Sequence, residues 1–195
     1  MTQRLTRRDM LRSAVAATAV GLGGCLGVTG TERDSPPEDA GELGTPAAEF
    51  RITIISEPFP EFEPQIVHVE PGTTVEWFVE TGRHDVTAYH RENHPPHRMP
   101  EGAEAWESDY LTGPGASYKH TFDREGIYDY VDTQQVCVSH EVAGNVGRVV
   151  VGWPDLETQP AMAAPSEELP SQVANAIELF NEETRAAVAD RDGDS

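Results

Sequence analysis

Val136-Cys137-Val138-Ser139-His140-Glu141-Val142-Ala143-Gly144-Asn145-Val146-Gly147 is the stretch on which the reading of this chain turns. It holds the only cysteine beyond the N-terminal segment, and a histidine follows three residues later. Upstream, His84 opens a strand-like run, His84-Asp85-Val86-Thr87-Ala88-Tyr89. One soft thiolate and two imidazoles can therefore converge on one metal ion. Taken alone, either histidine reads as structural, and Cys137 as a small buried core residue. Their positions relative to one another make them candidate ligands.

Working outward, the chain on both sides reads as short β-prone runs divided by turn residues. Phe50-Arg51-Ile52-Thr53-Ile54-Ile55, Ile66-Val67-His68-Val69 and Thr73-Thr74-Val75-Glu76-Trp77-Phe78-Val79 precede the His84 run. Ser117 to Phe122, Gly126 to Val131 and Val146 to Val151 follow it. Alternation and turns at this spacing predict roughly seven or eight antiparallel strands in a Greek-key sandwich over residues 50–152. Between them, His90 to Gly115 is polar and carries Pro95, Pro96, Pro100 and Pro114, so it reads as a long functional or mobile loop. His90, His94 and His97 in that loop are exposed residues in the plainer reading and a second metal site in the sharper one. His68 and His120 lie in strand-like runs without neighbouring ligands and read as structural.

The flanks differ in texture. Residues 153–195 form an acidic tail in which Ser171 can cap a helix over 172–189, with Val173, Ile177, Phe180, Ala187 and Val188 near one face. That face predicts docking on the sandwich, or alternatively on a partner. Residues 26–49 are rich in Gly, Pro, Thr, Ser, Glu and Asp and predict a flexible acidic tether. Residues 1–25 read as an export signal, because the twin arginine Arg7-Arg8 precedes an apolar run from Ala14 to Leu22 that is too short to span a bilayer. Leu22-Gly23-Gly24-Cys25 resembles a lipobox, which predicts lipidation of Cys25 and attachment to the outer face of the cell membrane.

The charge balance excludes some partners. Of 195 residues, 34 are Asp or Glu and 14 are Lys or Arg, a formal charge of −20. Such an excess argues against nucleic acid or an anionic membrane surface as the binding partner. It suits a protein kept hydrated in high salt, where carboxylate repulsion is screened over roughly 3 Å at 1 M. A halophilic source is the expectation.

With these residues in view, the chain resembles plastocyanin/azurin-type blue-copper proteins, the cupredoxins, and within them the halocyanins. The resemblance rests on Pro71-Gly72-Thr73-Thr74-Val75-Glu76-Trp77, on the His84-Asp85-Val86 corner, on Gly126-Ile127-Tyr128-Asp129-Tyr130, and on Cys137-x-x-His140 leading into Gly144-Asn145-Val146-Gly147-Arg148. It implies a cupredoxin-like sandwich and a non-enzymatic carrier of one electron between membrane redox proteins. It also implies one copper ion with His84, Cys137 and His140 as equatorial ligands. A copper-binding or copper-delivery module without electron transfer is the alternative.

Two departures from the family pattern bear on the site. Where the family has a weak axial methionine, eight residues after the cysteine, this chain has Asn145. An amide oxygen can take that place, an empty position is the other outcome, and Met99 in the long loop is a remote substitute. Secondly, the family's cysteine commonly lies two residues after the last tyrosine of Gly-x-Tyr-x-Tyr, whereas here Asp132-Thr133-Gln134-Gln135-Val136 intervenes before Cys137. An odd insertion reverses strand alternation, so a bulge or a restarted strand is predicted there. Asp85, directly after His84, places a negative charge beside the ligands, where it can tune them.

Overall fold

The computed structural model describes residues 37–193, residue 137 excepted. The signal, the start of the tether, Cys25 and Cys137 lie outside the described residues. Twelve strands are described: β1 (Phe50–Ile55), β2 (Glu61–Glu63), β3 (Ile66–Val69), β4 (Thr73–Val79), β5 (Arg83–His84), β6 (Thr87–Ala88), β7 (Leu111–Thr112), β8 (Ser117–Phe122), β9 (Gly126–Val131), β10 (Gln135–Val136), β11 (Val138–Ser139) and β12 (Val146–Val151). A helix, α1 (Ser171–Gly193), follows two short 3-10 turns, Leu156–Thr158 and Pro160–Met162.

Two four-stranded sheets face one another, in the orders β2-β1-β4-β8 and β3-β12-β9-β6. The sandwich is not wholly antiparallel, because β1 runs parallel to β4 and β3 parallel to β12. The chain leaves the first sheet after β2, passes through β3 in the second and returns as β4, so the returning strand meets β1 in the same direction. Long-range pairing of this kind leaves no mark on local alternation.

The first sheet shows the alternation of a half-buried sheet. In β4, Thr73, Val75, Trp77 and Val79 are buried, and the residues between them face outward or are half-covered. Trp77 sits at the centre, with the rings of Trp106, Tyr118, Phe122 and Tyr130 around it. The second sheet is different, since every residue of β9 and of β12 is buried. Tyr128, Tyr130, Val149 and Val151 pack into the sandwich. From the opposite face, Val131 and Val146 meet Leu169, Val173, Ile177 and Phe180 of the C-terminal segment. The helix therefore docks on its own chain through the apolar face expected for it, and it covers what would otherwise be an open sheet.

A buried charge cluster fastens this outer layer. Asp129 accepts hydrogen bonds from Arg98 Nε at 2.8 Å and Arg148 Nε at 2.7 Å. Arg148 reaches on to Asn181 Oδ1 at 2.9 Å and Thr184 Oγ1 at 3.2 Å, both on α1. Arg98 donates to the carbonyls of Ala161 and Ala163.

Residues 37–49, which composition assigns to the tether, are fastened instead. Ala47 bridges to Val69 and is buried, and the Gly44 amide donates to His68 Nδ1 at 3.0 Å. Small residues here allow the backbone to lie against β3, an affinity that polarity counts do not show. The long loop is likewise more ordered than expected. It contributes β7, and Met99 and Trp106 fill the core. Met99 is fully buried and packs in the main core cluster.

Candidate metal centre

At one end of the sandwich, three side chains meet. His84 ends β5, Asp132 directly follows β9, and His140 lies in the turn after β11. Their ligand atoms lie within 4.8 Å of one another, and all three residues are buried. Asp132 Oδ2 lies 2.6 Å from His84 Nδ1 and 2.7 Å from His140 Nδ1, and it accepts from Asn145 Nδ2 at 2.9 Å. The two imidazole rings lie 5.1 Å apart, centroid to centroid, inclined at 43°.

Each group is oriented by its local backbone. The far nitrogen of His84, Nε2, lies 2.8 Å from the Thr81 carbonyl and 3.0 Å from Ser56 Oγ. A carbonyl only accepts, so Nε2 carries a proton and Nδ1 is the nitrogen turned to the centre. Gly82 makes this approach possible. Its φ is +88°, and a Cβ there would collide with Ser56 Oγ and press on His84 Nε2. His140 is held through its backbone, with its amide donating to the Gln134 carbonyl at 2.9 Å and its carbonyl accepting from the Asn145 amide at 3.0 Å. Asp132 Oδ1 accepts from the Gln134 amide at 3.1 Å and the Asp85 amide at 3.3 Å, which aims Oδ2 at the two rings.

Burial opposes ionisation of Asp132, yet the hydrogen bonds and charge of His140 and His84 together hold its carboxyl below the usual range. Asp85 faces the inserted residues. Its carboxylate takes the Thr133 amide at 2.7 Å, the Thr133 hydroxyl at 2.7 Å and Gln134 Nε2 at 2.8 Å. It stitches the insertion to the His84 strand.

His140 and His84 are thus brought together as the sequence predicts, and Asn145 stands beside them. Its amide nitrogen points to Asp132, and its Oδ1 is buried without a partner. Cys137 lies outside the described residues. The insertion is absorbed by the short antiparallel pair β10 and β11, in the register Gln135 to Ser139 and Val136 to Val138, the restarted strand that an odd insertion demands. The loop histidines go elsewhere. His94 Nε2 meets Glu141 Oε1 at 3.0 Å, where Tyr89 also donates at 2.9 Å, while His90 and His97 pack ring against ring. Among the described residues, only His84, Asp132 and His140 form a group able to hold a metal.

Asp132 is the residue that sequence reasoning missed. Counting from Gly126-Ile127-Tyr128-Asp129-Tyr130 finds it, because it is the second residue after Tyr130 and shares the inward parity of Tyr128 and Tyr130.

Two imidazole nitrogens turned inward, one ring held through its far nitrogen and the other through its backbone, with an oxygen donor against them, suit a copper ion. A Greek-key sandwich carrying such a buried centre at one end is a cupredoxin. The family model described as copper binding proteins, plastocyanin/azurin family, matches residues 49–152. The chain belongs to that family of copper proteins.

Its relatives include a halocyanin of Natronomonas pharaonis, 34% identical over 92 residues, which are 46% of this chain and 47% of the relative. A plastocyanin of Scenedesmus fuscus is 35% identical over 94 residues, 46% of this chain and 85% of the relative. The match therefore spans about half the length of the halocyanin. Among solved structures, a pseudoazurin from Sinorhizobium meliltoi superposes with a TM-score of 0.53 at 22% identity, over 71% of this chain and 98% of that one. That likeness supports the fold.

Proposed function

We propose that the chain is an exported one-electron carrier holding a single copper ion through His84, His140 and Cys137, with Asn145 at the axial side. The observation that carries this reading is the convergence of the two Nδ1 atoms in a buried pocket. Copper bound there supplies a Cu(I)/Cu(II) couple. The protein supplies rigidity, since the Thr81 carbonyl and Ser56 hold one ring and the β11–β12 turn holds the other. Ligands fixed by a β scaffold rearrange little between oxidation states. The His84 side chain is fully buried, whereas that of His140 is 7% exposed, so an electron passes through the His140 edge.

The twin arginine, the lipobox-like run ending at Cys25 and the acidic charge support a carrier released across the membrane and held at its outer face by lipid, exchanging electrons with membrane redox proteins. No helix among the described residues is long and apolar enough to cross a membrane. The test is a visible spectrum of the protein with one equivalent of Cu(II), beside Cys137→Ser. An intense thiolate-to-copper band present in the parent and lost in the variant is expected. A folded, copper-loaded parent without that band contradicts the thiolate ligand and leaves a delivery module as the better reading.

A further inference from the structure

We propose that Asp132 is itself a metal ligand, so that the centre takes a divalent ion through His84 Nδ1, His140 Nδ1 and Asp132 Oδ2 even without a thiolate. This rests on the reading above that the two histidines hold the metal, and it adds an oxygen donor to them.

Four observations carry it. Asp132 occupies the inward-facing position two residues past Tyr130, at the end of the strand, where the fold aims a side chain into the centre. His84 Nε2 is committed to the Thr81 carbonyl at 2.8 Å, so Nδ1 is the nitrogen that faces the carboxylate, 2.6 Å from Asp132 Oδ2. His140 Nδ1 faces the same oxygen at 2.7 Å, so one carboxylate oxygen and two ring nitrogens converge within 4.8 Å of one another. The carboxylate does not swing clear, because backbone amides of Gln134 and Asp85 hold Oδ1. Finally, Asn145 Oδ1 is buried beside the carboxylate without a hydrogen-bond partner, an acceptor that lacks a donor. An exchange of the amide's nitrogen and oxygen presents a further oxygen to a bound ion.

The donor set predicts the ligand class. Two imidazoles and a carboxylate are harder than the two imidazoles, thiolate and thioether of a blue site, and they favour Cu(II) over Cu(I). Divalent cobalt and zinc also suit them, with Cu(II) the tightest of these.

The test uses the full chain and its Cys137→Ser, Asp132→Asn and doubly substituted forms, titrated with Cu(II) and followed by electron paramagnetic resonance. Cys137→Ser is expected to bind one Cu(II) with the wide copper hyperfine splitting of a nitrogen and oxygen site. Adding Asp132→Asn is expected to weaken binding at least tenfold, since even groups that only orient a ligand cost about 10–100-fold. In the unsubstituted protein labelled with 13C at aspartate carboxyls, a 13C coupling to bound Cu(II) reports ligation without any mutation. Equal affinity and spectra with and without Asp132→Asn, together with no 13C coupling, overturn the proposal. If the parent nevertheless keeps a thiolate band lost in Cys137→Ser, the electron-carrier reading survives alone. If the parent binds no Cu(II), both fall.

Discussion

Asp129 and Asp132 lie three residues apart, and both are fully buried, yet the chain uses them in opposite ways. Asp129 faces the outer layer and is gripped by Arg98 and Arg148, whose guanidinium charges do not titrate in proteins. Its partners are in turn bound to Ala161, Asn181 and Thr184, so the cluster is closed. Asp132 faces the sandwich end, and its side-chain partners are His84, His140 and Asn145. Imidazoles exchange a proton for a metal ion, and guanidinium groups do not. At equal burial, then, the chemistry of the partner separates a rivet from a binding site, and strand parity decides which partner each carboxylate meets.

That contrast can be broken at several strengths. Arg148→Met removes one half of a buried pair and is expected to cost about 3 kcal/mol or more in urea unfolding, since breaking such a pair strands a charge. A cost near zero would show that the Asp129 cluster is no rivet. The metal-dependent effect comes next. Free Cu(II) at a hundred times its Kd should stabilise the parent by about 2.7 kcal/mol, and the joint His84→Ala and His140→Ala protein by nothing. Thr184→Val, on the outer layer, should lower stability by about 1 kcal/mol through its bond to Arg148 and leave that copper effect unchanged. A copper effect that followed Thr184 would blur the distinction between the two regions.

The smallest effect belongs to His68, a buried histidine outside both clusters. Burial lowers its pKa, partly offset by its bond to the Gly152 carbonyl, and its Nδ1 accepts from the Gly44 amide. Below the ordinary value of 6.5 the unfolded chain binds the proton that the folded chain refuses. Stability therefore falls as pH drops from 6.5 towards the folded value and levels off below it. His68→Gln should flatten that part of the pH profile, and an unchanged slope would assign it to other groups.

Much of this was legible in the sequence. Alternation and turn residues mark the main strands, and Val173, Ile177 and Phe180 announce a helix with one apolar face. His84, His140 and Asn145 were found by spacing, and they lie together. What escaped depends on partners far along the chain. The parallel pairs β1 with β4 and β3 with β12 follow from a crossover between sheets, which local periodicity does not encode. The partners of Arg98 and Arg148 are likewise distant in sequence, since the 3-10 segment around Ala161 and the α1 residues Asn181 and Thr184 complete their cluster. Asp132 is hard to see in the sequence because the insertion moves the cysteine five residues on, while the end of β9 keeps its inward aim and carries a carboxylate there.

The measurement that bears most directly on the centre is copper K-edge X-ray absorption of the metal-loaded full chain in both oxidation states. Scattering from two imidazole rings, retained on reduction, is the predicted result. One imidazole or none around the copper would contradict the His84 and His140 centre.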